Sequence, residues 1–332
     1  MSLPSIAVIG TGGTISSVAT SSMDVLDYPE FGTKLTPEEV LQRVPEARLV
    51  ADVRPVPFRA VGSTAIGPAD WLELRELLHA TAAAQPDLAG FVILHGTATL
   101  EETAFFLNLT LAIPQTVVLV GAQRPASALG TDGAANLVAA LRVAGAPEAR
   151  NLGVLVVLND EIHAARDVVK VSTYRLQTFR SLDFGALGHV DGDGVHVMRS
   201  VRRRHAPATE FAGSLPASLP RVDIALSYAG VDGVMVRAAV EAGARGIVSA
   251  GLAPGIATPA ERAALEQAIA SGIVVVQCSR AASGRVGRRR YLREAGLVAG
   301  EDLSPQKARI LLMLALTQTS DPERIAEIFQ TY

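Results

Sequence analysis

A single cysteine, Cys278, stands among the 332 residues, which excludes an intramolecular disulfide framework and any zinc site built on thiolates. Cys278 closes an apolar run, the setting of a buried structural thiol. Aromatic residues are scarce, at 5%, so alanine and aliphatic side chains must fill the core. Charge of either sign is not in excess. A net charge of −3 leaves no electrostatic hold on nucleic acid or an anionic membrane. No apolar run reaches the roughly 18–20 residues of a membrane span. The N-terminus lacks a basic segment followed by a long apolar stretch and a small-residue cleavage site, so no signal peptide is expected and a cytoplasmic location is. There is no G-x-S-x-G for a Ser-His-Asp hydrolase. The six histidines (His79, His95, His163, His189, His196 and His205) show no metal-ligand spacing such as H-E-x-x-H. Internal repeats and low-complexity tracts are absent too. What is present is a chain 49% apolar and 19% charged, the balance of an ordinary globular protein with room for two domains.

Short apolar runs alternate with helical periodicity along most of the chain. Residues 6–9, 90–94, 116–120 and 152–158 are continuous apolar runs, as expected of parallel strands covered on both faces. Between them, Thr36-Pro-Glu-Glu39 opens a helix with a capping-box pattern. Residues 68–84, 100–111 and 132–143 read as further helices. The segment Asp191-Gly-Asp193-Gly between Val190 and Val195 is expected as a hairpin turn, because the later ligands of a calcium loop are missing. Alternation breaks at Arg202, and residues 202–221, bearing prolines and serines, have the composition of a linker. It resumes with strands at 222–227, 246–250 and 273–276 and helices near 232–242, 258–270, 305–317 and 322–329. The expectation is an α/β protein: a large doubly wound, mostly parallel domain over 1–201 and a smaller α/β domain over 222–332.

Three strand ends carry polar residues that an inert core would not need. The first is Gly10-Thr-Gly-Gly-Thr14. The second is His95-Gly-Thr97-Ala98-Thr99-Leu-Glu-Glu102-Thr103. The third is Arg166-Asp-Val-Val-Lys170. In open α/β sheets, sites gather at the carboxyl ends of strands. Two threonines and a lysine there make a nucleophile–base set, since a threonine hydroxyl needs a neighbour to take its proton and a desolvated lysine can do so. His95 reads as a structural histidine bonded to a nearby loop. A glycine-rich strand end could equally be a simple turn or cradle a phosphate. A nucleotide-binding oxidoreductase, however, would need G-x-G-x-x-G and an acidic residue closing a second strand, and the chain has neither.

Gly10-Thr-Gly-Gly-Thr-Ile, His95-Gly-Thr-Ala-Thr-Leu-Glu-Glu-Thr-Ala, Gly121-Ala-Gln-Arg-Pro, Arg166-Asp-Val-Val-Lys and the closing Ser304-Pro-Gln-Lys-Ala-Arg resemble the bacterial L-asparaginase family. The likeness runs from about residue 5 to the C-terminus. It implies a homotetramer of intimate dimers and hydrolysis of a small-molecule amide without metal or organic cofactor. It also implies that Thr14 attacks, with Tyr28 beside it as activator, and that Thr97 and Lys170 form a second proton relay. Ser63, Thr64, Gly96 and Ala98 are the substrate-contacting positions it implies, Ser63 holding a substrate carboxylate.

Four positions depart from that pattern. Ala98 stands where the family carries an aspartate that binds the substrate's α-ammonium. Thr64 replaces a glutamine, and Pro254 replaces an asparagine given by the neighbouring subunit. The segment 285–293, with Arg288, Arg289 and Arg290 consecutive, covers the region where the partner would supply an acid. All four remove or invert groups that read an amino acid's head. Losing the charged partner of an ammonium costs about 2–5 kcal/mol. The expectation is an amidohydrolase with altered specificity at the α-amino group. The alternatives are an L-asparaginase with weakened binding and a disabled relative that only binds small molecules.

Overall fold

A computed structural model describes residues 2–332, which fall into two compact units divided between Gly213 and Ser214. The strands of the first unit are β1 (Ser5–Gly12), β2 (Ser17–Val18), β3 (Thr33–Lys34), β4 (Asp52–Val61), β5 (Gly90–Leu94), β6 (Thr116–Val120), β7 (Leu155–Leu158), β8 (Glu161–Ala164), β9 (Val169–Lys170), β10 (Phe179–Arg180), β11 (Gly188–Asp191) and β12 (Gly194–Val197). Eight of them form one sheet in the order β12-β11-β8-β7-β6-β5-β1-β4. From β4 to β7 the pairs are parallel; β8, β11 and β12 add an antiparallel edge. β5, β6 and β7 are buried at every residue, as their unbroken apolar runs require.

The chain passes from β1 to β4 on one side and then to β5 on the other. The strand order therefore reverses at β1, and the crevice for a ligand opens beyond its carboxyl end. β1 runs past β5 there and stays paired with β4. Gly10 pairs with Leu94 and Pro57, and the register slips before Gly12 meets Val61. Below this point, Ile6, Val8, Val92 and Val118 pack with Leu137, Ala140 and Leu141 of the helix Gly133–Gly145 in one apolar cluster. The helices Pro68–Ala84 and Leu100–Thr110 pack together, Trp71 stacking on Phe106 with ring centroids 5.5 Å apart. The helix Pro37–Arg43 starts on the expected capping box: Thr36 N donates to Glu39 Oε2 (2.8 Å) and Glu39 N to Thr36 Oγ1 (3.2 Å).

The second unit is a four-stranded parallel sheet in chain order, β13 (Val222–Leu226), β14 (Gly246–Gly251), β15 (Val274–Ser279) and β16 (Val298–Ala299). The helices Val234–Glu241, Pro259–Ala270 and Arg290–Glu294 connect its strands, and Pro305–Ala315 and Pro322–Thr331 close the chain. Cys278 is buried on β15, where burial pushes its thiol up to about 12. Among the described residues no helix is long and apolar enough to cross a membrane.

Three details differ from expectation. β4 was not among the expected strands; it accommodates Pro55 and Pro57 because it is the sheet edge, where a missing N–H costs no ladder bond. The fourth apolar run starts its strand at Leu155 rather than at 152, since Asn151 and Gly153 have positive φ (60° and 76°) and turn the chain. The first half of the expected linker is anchored rather than loose. Phe211 is buried, Ala206 N donates to Asn108 O, and Arg75 Nη2 donates to the carbonyls of Ala212 and Gly213.

Candidate active site

Three chain reversals meet at the end of β1. Gly13 N donates to Val61 O at 2.8 Å, tying the first glycine turn to the end of β4. Gly13 also lies against the second motif: a Cβ built on it would sit 2.2 Å from Gly96 Cα, and its φ of +79° suits only glycine. On Gly96 a Cβ would fall 2.7 Å from the Cβ and Oγ of Ser63. The two backbones therefore touch only because neither bears a side chain, and this contact brings Thr14 and Thr97, each the next residue along, to one place.

Each threonine has its own polar partner. Thr14 Oγ1 lies 2.8 Å from the phenol oxygen of Tyr28, which opens the short helix Tyr28–Phe31. Burial raises the Tyr28 phenol above its ordinary range; the Thr14 hydrogen bond opposes this, and the charge of Asp132 adds to it. Tyr28 is thus un-ionised at neutral pH and can pass a proton but not hold a resident negative charge. Lys170 Nζ donates to Thr97 Oγ1 at 2.7 Å. Burial lowers the Lys170 ammonium from its usual range, with the charge of Glu101 working against it. Glu101, itself buried, accepts from the backbone N–H of Lys170 and so fixes where β9 delivers the amine. Just upstream, Arg166 Nη1 and Asp167 Oδ1 are 3.3 Å apart with both side chains 5% exposed, which stiffens the turn into β9.

Ser63 is buried, with Oγ accepting from Ala98 N (3.2 Å) and its carbonyl accepting from Thr99 Oγ1 (2.8 Å). Gly96 is buried; Thr64 and Ala98 are exposed beside it. So the structure brings Thr14, Tyr28, Gly96, Ala98 and Ser63 onto touching loops, joins Lys170 to Thr97, and leaves Thr64 on the rim. His95 is the fully buried loop histidine expected: Nδ1 lies 2.8 Å from Gly96 O and Nε2 3.0 Å from Thr103 Oγ1. Burial pushes it down to about 4, against the Gly96 hydrogen bond, so it stays neutral.

Several supporting residues went unnoticed at the level of sequence. Asp132 accepts from the backbone N–H of Gln123 and of Arg124 (2.9 Å each) and from Asn136 Nδ2 (3.1 Å). Asn136 in turn donates to Gly121 O and accepts from Asn159 N. This explains the Gly121-Ala-Gln-Arg-Pro motif as a loop tied to neighbouring strand ends. The one signal available was an Asp at the expected start of the helix 132–143. On the hairpin at the opposite sheet edge, Asp191, Asp193 and His196 cluster on the surface, with His196 Nε2 3.0 Å from Asp193 Oδ1. In the second unit, Arg288 pairs with Glu301 and Arg290 with Glu294, so two of the three consecutive arginines are held within their own unit.

A hydroxyl–phenol pair and an amine–hydroxyl pair thus lie at the switch point of a doubly wound sheet. Residues 5–203 match the family model for the asparaginase N-terminal domain, and 221–329 match that for the glutaminase/asparaginase C-terminal domain. The chain belongs to the asparaginase family. It is 40% identical to L-asparaginase 2 of Bacillus subtilis over 330 residues, covering 99% of this chain and 87% of that one. With L-asparaginase 2 of Escherichia coli it shares 38% identity over 334 residues, 100% of this chain and 94% of the other. The crystal structure of a probable cytoplasmic L-asparaginase from Campylobacter jejuni superposes with a TM-score of 0.93 at 38% identity, covering 99% and 100% of the two chains. Membership makes this asparaginase-family chain an amidohydrolase, a hydrolase of linear amide C–N bonds.

Proposed function

We propose that the chain hydrolyses a side-chain carboxamide through an ester on Thr14. The Thr14 oxygen attacks the carboxamide carbon while its proton leaves through Tyr28, whose neutral phenol suits a shuttle. The C–N bond breaks, the nitrogen takes up a proton and departs as ammonia, and water then attacks the ester to release the carboxylate and restore the hydroxyl. Thr97 and Lys170 form the second relay, which takes a proton from the attacking group; the amine is fit for this because burial lowers its pKa. Backbone N–H groups at Thr14 and Thr97 face the developing oxyanion, each such donor being worth about 3–4 kcal/mol. No metal or organic cofactor enters this scheme. The observation that supports it most is the contact of Gly13 with Gly96, the residues immediately before Thr14 and Thr97.

Specificity follows from what surrounds the pairs. Ser63 holds the substrate's carboxylate. Ala98 offers no charge to an α-ammonium, and Pro254 and the arginines 288–290 place no acid there from a neighbouring subunit. The favoured substrate is therefore a carboxylate-bearing amide whose amino group is absent or unread, such as a dicarboxylic acid monoamide. The working assembly is a homotetramer of intimate dimers, as the family resemblance implies.

Ammonia release from a panel of amides by the purified protein tests both parts. The expected result is turnover of a dicarboxylic monoamide above that of L-asparagine, abolished by Thr14→Ala. In the Ala98→Asp variant the preference should swing toward asparagine by tenfold or more, as about 2 kcal/mol of restored ion pairing requires. Efficient asparagine hydrolysis indifferent to Ala98→Asp would refute the altered specificity and leave the amidohydrolase.

A further inference from the structure

Two hydrogen-bond chains end on the two carbonyls that immediately precede Thr14 and Thr97. The first begins at Lys34, whose ammonium donates to Ser17 Oγ at 2.9 Å. An ammonium cannot accept, so the serine proton is directed away from it, to Gly13 O at 2.8 Å. The second begins at Trp71, the one tryptophan, whose Nε1–H donates to Thr103 Oγ1 at 2.9 Å. An indole N–H cannot accept either, so the Thr103 proton goes to His95 Nε2 at 3.0 Å. That nitrogen must then be bare. The ring proton sits on Nδ1 and is donated to Gly96 O at 2.8 Å. Each chain thus starts at an obligate donor, and every proton in it is assigned without a choice.

The end points are not arbitrary. Gly13 O belongs to the same peptide unit as Thr14 N–H, and Gly96 O to the same unit as Thr97 N–H. Neither of those amides makes a hydrogen bond with the described residues. Ser17 and Thr103 are each 0% exposed, positions where an apolar side chain would fill the space with no polar group to satisfy. Resting on the threonine amidohydrolase reading, we propose that Lys34–Ser17 and Trp71–Thr103–His95 are polarising relays for the oxyanion site. By bonding the carbonyl of each peptide, they hold its plane and strengthen its N–H as a donor, since linked hydrogen bonds polarise one another. Thr14 N–H and Thr97 N–H are then aimed before substrate arrives, which is what preorganised stabilisation of a developing charge needs. None of the five side chains touches substrate in this scheme; they are positioning residues.

The test reads the amides and the turnover separately. In protein labelled with 15N-threonine and free of substrate, Thr103→Val should move the Thr97 amide proton upfield and leave Thr14 in place. Ser17→Ala should do the reverse. Each variant should lower kcat about tenfold with KM within twofold, a fraction of the loss from deleting a donor outright. Thr103→Ser, which keeps the hydroxyl, should restore both the shift and kcat. If Thr103→Val fails to fold, Trp71→Phe removes the first donor and keeps the ring. Unmoved amide shifts would overturn the relays even if Thr14→Ala is inactive. Shifts that move while kcat stays constant, or equal losses in Thr103→Val and Thr103→Ser, would overturn their catalytic role.

Discussion

At the candidate site, burial pushes two groups in chemically opposite directions. Tyr28 is raised, so its phenol remains neutral; Lys170 is lowered, so its amine loses its proton more readily than a surface lysine does. A base must be unprotonated to act. The log of kcat/KM should therefore rise with pH and level off with an inflection below 10.5, the ordinary value for lysine. Lys170→Met should cost roughly 10²–10⁴ in kcat, the usual worth of a positioned base. Lys170→Arg should not restore activity, because a guanidinium does not give up its proton in this range. An unchanged pH–rate profile in Lys170→Met would remove the lysine from the reaction.

Among the elements, the turn after β1 matters most, and its dependence on two bare glycines makes a sharp prediction. Gly96→Ala places a methyl 2.7 Å from the Ser63 side chain and against Gly13, so the loops must part. Activity should be lost while the sheet survives, with the far-ultraviolet circular dichroism unchanged. Asp132→Ala unties two backbone donors of the loop 121–124 and the Asn136 side chain, and should lower stability by about 1–3 kcal/mol, read as a shift in denaturation midpoint. Much at this scale was legible in the sequence. Unbroken apolar runs marked β5 and β6 because a parallel strand is covered on both faces, and Thr36 announced its helix by the capping box. β4 was illegible, since Pro55 and Pro57 deny a strand unless its place at the sheet edge is known. The threonine motifs and Lys170 could be read because they are local strings. Their supports could not: Trp71 meets Thr103 across 32 residues and Glu101 meets Lys170 across 69, contacts that only the folded sheet creates.

For the molecule as a whole, buried His95 links stability to pH. Its folded value of about 4 lies below the ordinary 6.5, so the unfolded chain binds the extra proton first. Stability from this residue is therefore full above pH 6.5 and falls as pH drops toward 4. The loss over that window is about 3 kcal/mol. His95→Gln should flatten this limb in urea titrations taken across the window, and an unchanged limb would assign the acid sensitivity elsewhere. If Thr14 carries the acyl group during turnover, mass spectrometry of the protein quenched in mid-reaction should detect it. An added acyl mass is expected on the peptide containing Thr14, absent from Thr14→Ala together with ammonia release. An adduct on another residue, or full turnover without Thr14, would contradict it.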